Sequence, residues 1–93
     1  MTVLIVDNGK SSFRGELTRW LSEFKAGIFF GNISASIRDK IWEKVESENK
    51  CSSALLIYSS DTEQGYRLRS FGENNIEMID FDGFILPKKI RRE

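Results

Sequence analysis

An α+β sandwich, with helices laid on one face of a small and mainly antiparallel sheet, is the fold class this sequence predicts. Three observations predict it. Apolar residues recur at helical spacing in two stripes, Phe13, Leu17, Trp20, Leu21 and Phe24, then Ile37, Ile41 and Val45. Short β-branched or aromatic runs lie before, between and after the stripes. Gly, Asn, Asp and Ser punctuate the junctions. Each stripe leaves an apolar face that a sheet must cover, which gives a layered domain.

Thr2 to Val6 reads as a buried strand ended by the turn residues Asp7-Asn8-Gly9. Helix one follows. Ser11 or Ser12 caps it, Glu16 lies near its first turn, and Ala26-Gly27 closes it with the glycine favoured just past a helix end. Ile28 to Phe30 makes strand two. Asn32 to Ser34 leads into helix two, which Ser34 caps, with Asp39 near its positive end, and which runs to about Glu48. Ala54 to Tyr58 and Tyr66 to Phe71 are strands three and four, joined by a polar loop ending at Gly65. Arg67 and Arg69 share one face of the fourth strand, a face that is wet or meets an anion. After Gly72 to Asn75, Ile76 to Phe81 and Phe84 to Leu86 add late strand segments around Asp82-Gly83. The expected order is β-α-β-α-β-β plus those segments, the ferredoxin-like neighbourhood, in one domain over residues 1–93. The core does not need the late segments, so residues 76–93 are expected to contact a second copy or a partner.

A chain of 93 residues buries only about 60% of the surface its unfolded form exposes, and dimerisation is a common remedy. Fourteen basic residues balance fourteen acidic ones, so total charge does not announce nucleic-acid binding. Distribution says more: Lys10, Arg14, Arg19 and Lys25 lie on or near helix one, and Lys88, Lys89, Arg91 and Arg92 form a basic tail, either solvated or meeting acid or phosphate. Without histidine the chain has no Ser-His-Asp or Cys-His pair, so catalysis would fall to carboxylates, lysines or a metal. The single Cys51 makes no internal disulfide and fits a reducing compartment, in a structural role or, less simply, as a nucleophile. The apolar runs are far shorter than a membrane span and nothing marks the N-terminus for export, so a cytoplasmic protein is expected.

Several residues have an order and spacing that an unrelated fold would hardly reproduce. They are Arg14-Gly15, Leu17, Trp20-Leu21, Ala26-Gly27, Gly31, Ile33-Ser34-Ala35, Ile37-Arg38, Ile41-Trp42-Glu43, Thr62-Glu63, Gly65, Phe71-Gly72 and Asp80-Phe81-Asp82-Gly83. Together the chain resembles, over nearly its whole length, the type I-E branch of CRISPR-associated protein two. The resemblance implies a ferredoxin-like homodimer that bridges two dimers of the integrase, CRISPR-associated protein one, and helps capture duplex protospacer DNA and insert it as a spacer.

By position, the resemblance places Asp7 where family members that cut RNA or DNA hold a divalent metal, Mg²⁺ here, with the carboxylate's twofold mate. Two converging carboxylates bind Mg²⁺ and activate water far better than one. Asp-Asn-Gly is also plain turn chemistry. In the type I-E branch the resemblance implies a scaffold for which cutting is dispensable, with Arg14, Lys25 and Arg38 at basic, DNA-backbone positions and Asp80 and Asp82 in an acidic patch for the partner. The chain departs from the pattern at Asn75-Ile76, where close relatives carry paired arginines, and at Ser11-Ser12-Phe13. Arg67, Arg69 or the tail would then compensate. Three readings stand side by side: adaptation scaffold, metal-dependent endonuclease, and small-ligand module. An RNA-stacking platform fails, because Tyr66 and Phe71 fall on opposite faces of a strand.

Overall fold

The computed structural model describes residues 1–72, 76–81 and 84–89, the last two at the level of backbone. Its elements are β1 (Thr2–Asp7), α1 (Ser11–Leu17), β2 (Ser22–Lys25), β3 (Ile28–Gly31), α2 (Ala35–Ser47), β4 (Ser53–Ser59), β5 (Tyr66–Gly72), β6 (Ile76–Phe81) and β7 (Phe84–Lys89). Five strands form one sheet in the order β2-β3-β1-β4-β5, and β6 and β7 form a second, two-stranded sheet. All pairs are antiparallel. With both helices on one face, the arrangement is consistent with a ferredoxin-like α+β fold.

The main departure from expectation lies after Leu17. The apolar period predicts a helix one that reaches Ala26, but α1 is seven residues long and the chain turns through Thr18 to Trp20 into β2. Two sequence facts weaken a longer helix: Gly15 sits inside α1 and β-branched Thr18 closes it. The competing structure is a hairpin, in which Ser22 pairs with Phe30, Glu23 with Phe29 and Lys25 with Ile28. Ala26-Gly27 is therefore the hairpin turn and not a helix end. Gly27 takes φ +83°, and a Cβ there would stand 2.4 Å from the Val6 carbonyl oxygen, so only glycine fits. Of the five apolar residues in the expected stripe, Phe13, Leu17 and Leu21 are buried, whereas Trp20 is 36% and Phe24 68% exposed.

Two smaller corrections concern α1. Lys10 occupies its N-cap, with no side-chain cap from Ser11 or Ser12. Glu16 lies near its end, where it pairs with Lys44 of α2. That pair ties the helices together and holds the Glu16 carboxyl below its ordinary value. Ser34 does cap α2, accepting the Ile37 N–H at 3.3 Å.

Cross-strand rows explain the core. On the helix-facing side, Leu4 stands between Phe29 and Leu56, and the same row reaches Arg69 on the edge. The next rows are Thr2, Tyr58 and Arg67, and Val6, Ala54 and Phe71. Phe13 and Leu17 of α1 and Ile41, Trp42 and Val45 of α2 close over these rows. Cys51 joins the core, and burial, then the Asp7 carboxylate, pushes its thiol up, away from nucleophilic use. Among the described residues no helix is long and apolar enough to cross a membrane.

Candidate functional site

Arg14 is held in place by the β2–β3 hairpin. Its Nη2 and Nε donate to Glu23 Oε2 at 2.7 and 3.2 Å, and the same oxygen accepts the Gly27 N–H at 2.9 Å. One carboxylate oxygen on the β2–β3 hairpin thus fixes an arginine of α1. The Gly27 N–H first, and Arg14 second, hold the Glu23 carboxyl below its ordinary range. Gly9 lies under the arginine stem: a Cβ there would meet Val6 Cγ1 at 2.8 Å and Arg14 Cγ at 3.3 Å. The Arg14 side chain remains 36% exposed, and a guanidinium has five N–H donors, of which Glu23 engages two. Glu23 is the member of this cluster that a helical reading of the segment conceals. The signal for it is the alternation Ser22-Glu23-Phe24-Lys25 before a two-residue Ala-Gly turn.

Asp7 ends β1 and is exposed. Its Oδ2 accepts from the buried Ser53 hydroxyl at 2.9 Å, and its carbonyl accepts from the Ser52 N–H at 3.0 Å. Asn8 takes φ +53° and donates to Ser52 Oγ at 3.1 Å, so the turn chemistry read from Asp-Asn-Gly is present. Among the described residues no group of three or more Asp, Glu, Cys or His side chains converges. One chain therefore brings a single carboxylate to this place, and a metal would need ligands from a second copy, water or phosphate.

Lys25 is exposed at the end of β2, beside an irregular register, with Nζ 6.0 Å from the Phe24 ring centre. Arg38 lies elsewhere. Its guanidinium stacks 3.8 Å over the Tyr58 ring, on the helix-facing side of β4. Around it opens a groove of about 720 Å³, lined by Arg38, Tyr58, Arg67, Arg69 and the β4–β5 loop. Asp80 lies in β6, in register with Ile85. Asp82, with Gly83, residues 73–75 and the tail residues Arg91 and Arg92, lies outside the described residues.

Residues 1–86 match the family described as CRISPR-associated protein (Cas_Cas2CT1978). The chain belongs to that family. The match extends from β1 into the first half of β7, so it takes in Asp7, Arg14, Lys25, Arg38, Asp80 and Asp82 and gives the fold a CRISPR-related role.

Proposed function

We propose that the protein is an adaptation subunit of the type I-E kind: a homodimeric scaffold that bridges integrase dimers and holds protospacer DNA by its backbone. Membership of a CRISPR-associated family supplies the context. The observation that carries the reading is Arg14, set at the surface by a carboxylate that the Gly27 N–H itself anchors, with donors left to turn outward. Such an arginine meets phosphate without reading bases. Arg14→Ala weakens duplex binding evenly across sequences and flattens the plot of log affinity against log salt by about 0.9 for each phosphate no longer neutralised, hence about twice that in a dimer. Normal spacer integration by Arg14→Ala, or in the absence of the protein, would defeat the reading.

The metal-dependent endonuclease is the second reading, favoured by one observation: Asp7 is exposed at a strand end with its carboxylate oriented by Ser53. Residues of one chain fit half a metal site, so Mg²⁺ would lie between two copies of Asp7 and supply an activated water. On this reading Asp7→Asn abolishes cleavage of RNA or duplex DNA, and a chelator does the same. Cleavage that survives either treatment removes Asp7 from the chemistry.

A further inference from the structure

We infer that Glu23 is a positioning residue for the phosphate contact of Arg14: it fixes the side edge of the guanidinium so that the end edge stands free as a fork for phosphate. This rests on the proposed DNA-holding role of Arg14 and adds to it a second residue and a direction. Nε and Nη2 of Arg14 share one edge of the planar guanidinium, and both donate to the same oxygen, Glu23 Oε2, at 3.2 and 2.7 Å. That leaves Nη1 and the outer N–H of Nη2, two parallel donors on the end edge, turned away from the carboxylate. A fork of that shape matches two oxygens of one phosphate group.

The carboxylate can aim an arginine because it is itself anchored. Its Oε2 also accepts the Gly27 N–H at 2.9 Å, and the Gly27 carbonyl accepts the Val6 N–H at 2.7 Å, so the restraint runs from the central strand β1 through the hairpin turn to the guanidinium. On the other side Gly9 leaves room for the arginine stem, since a Cβ there would stand 3.3 Å from Arg14 Cγ and 3.5 Å from its Cδ. The backbone N–H of Arg14 donates to the Lys10 carbonyl at 2.9 Å, which ties the root of the stem to the start of α1. The two side chains are 36% and 26% exposed, and an ion pair so open to water adds little stability. What it does supply is order: a long side chain that is already restrained loses less conformational freedom when it meets its ligand. Glu23 and a phosphate engage different edges of the guanidinium, so they do not compete for the same donors.

The sign of one substitution separates this role from its opposite. As a plain negative charge Glu23 repels phosphate, and Glu23→Gln would tighten binding; as a positioning residue it aids Arg14, and the same change weakens binding. Full chains carrying Glu23→Gln, Arg14→Ala or both are titrated with a fluorescein-labelled duplex of random sequence at one fixed, low salt concentration. Glutamine keeps an oxygen for the Gly27 N–H, and circular dichroism checks that each variant is folded. Glu23→Gln should weaken binding about two- to tenfold, the range set by the ordering of one long side chain. In the Arg14→Ala background it should leave binding unchanged or tighten it. On the unaltered protein, NMR follows Arg14 as the duplex is added: its Nη signals should shift while its Nε–Hε signal stays. Three outcomes overturn the positioning role and leave the Arg14 contact standing: unchanged or tighter binding by Glu23→Gln with Arg14 intact, an equal loss in both backgrounds, or an Nε–Hε signal that moves to the position of a free arginine. If Arg14→Ala binds as well as the unaltered chain, the Arg14 reading falls, and this inference with it.

Discussion

Glu23 performs two tasks with one oxygen, anchoring the hairpin turn through the Gly27 N–H and restraining Arg14. Its folded pKa lies below the ordinary value of 4.5, so the stability it adds is complete above that value and is lost as pH falls through the lowered one. The same sign holds for Glu16 against Lys44. Melting temperatures of the wild type and Glu23→Gln, measured from neutral pH downward, should differ most at neutrality and converge in acid. A gap that stays constant with pH would mean that hydrogen bonding, and not charge, secures the turn. In acid Arg14 would also be released from its carboxylate.

At the scale of elements, a longer α1 and the β2–β3 hairpin compete for Ser22 to Lys25, and the hairpin gives those residues backbone pairing with β3 and lets Glu23 accept the Gly27 N–H. Gly15 is a weak point that packing does not require, since a Cβ there meets nothing within 4 Å and its backbone is helical. Gly15→Ala should therefore stabilise the fold by about 0.5–1 kcal/mol in urea denaturation. A loss of stability would show that the glycine serves the turn after α1. Gly27→Ala should do the opposite.

At the scale of the whole molecule, the sheet leaves one face without helices, and Val3, Ile5, Ile57 and Leu68 are half-buried there. The β6–β7 pair forms its own two-stranded sheet, and an isolated hairpin of that kind is marginal in water. Both features favour the proposed homodimer, with residues 76–86 adding to the partner's sheet. Truncation after Asn75 should give monomers or aggregates. Light scattering that finds the dimer intact after that cut would exclude strand exchange. With no net charge to draw DNA from a distance, the protein alone should bind duplex weakly and, if the proposed scaffold holds, gain firm binding when an integrase is added.

Local signals are enough to specify the layered class, α2 with its Ser34 cap, strands β1, β3, β4 and β5 to within a residue or two, and the family. Those signals are hydrophobic period, β-branching, capping and the order of motif residues, all carried by single segments of chain. They also put Arg67 and Arg69 on one face, which period two requires. The end of helix one is a different matter, set by packing between segments. Phe13, Leu17 and Leu21 satisfy a helical period, yet cross-strand pairing with β3 claims Ser22 to Lys25. Likewise, nothing local joins Arg14 to Glu23 across a turn, or Arg38 to Tyr58, Arg67 and Arg69 across two elements. Those partners meet because sheet register sets rows of side chains side by side, and register is a property of paired strands that no single segment carries.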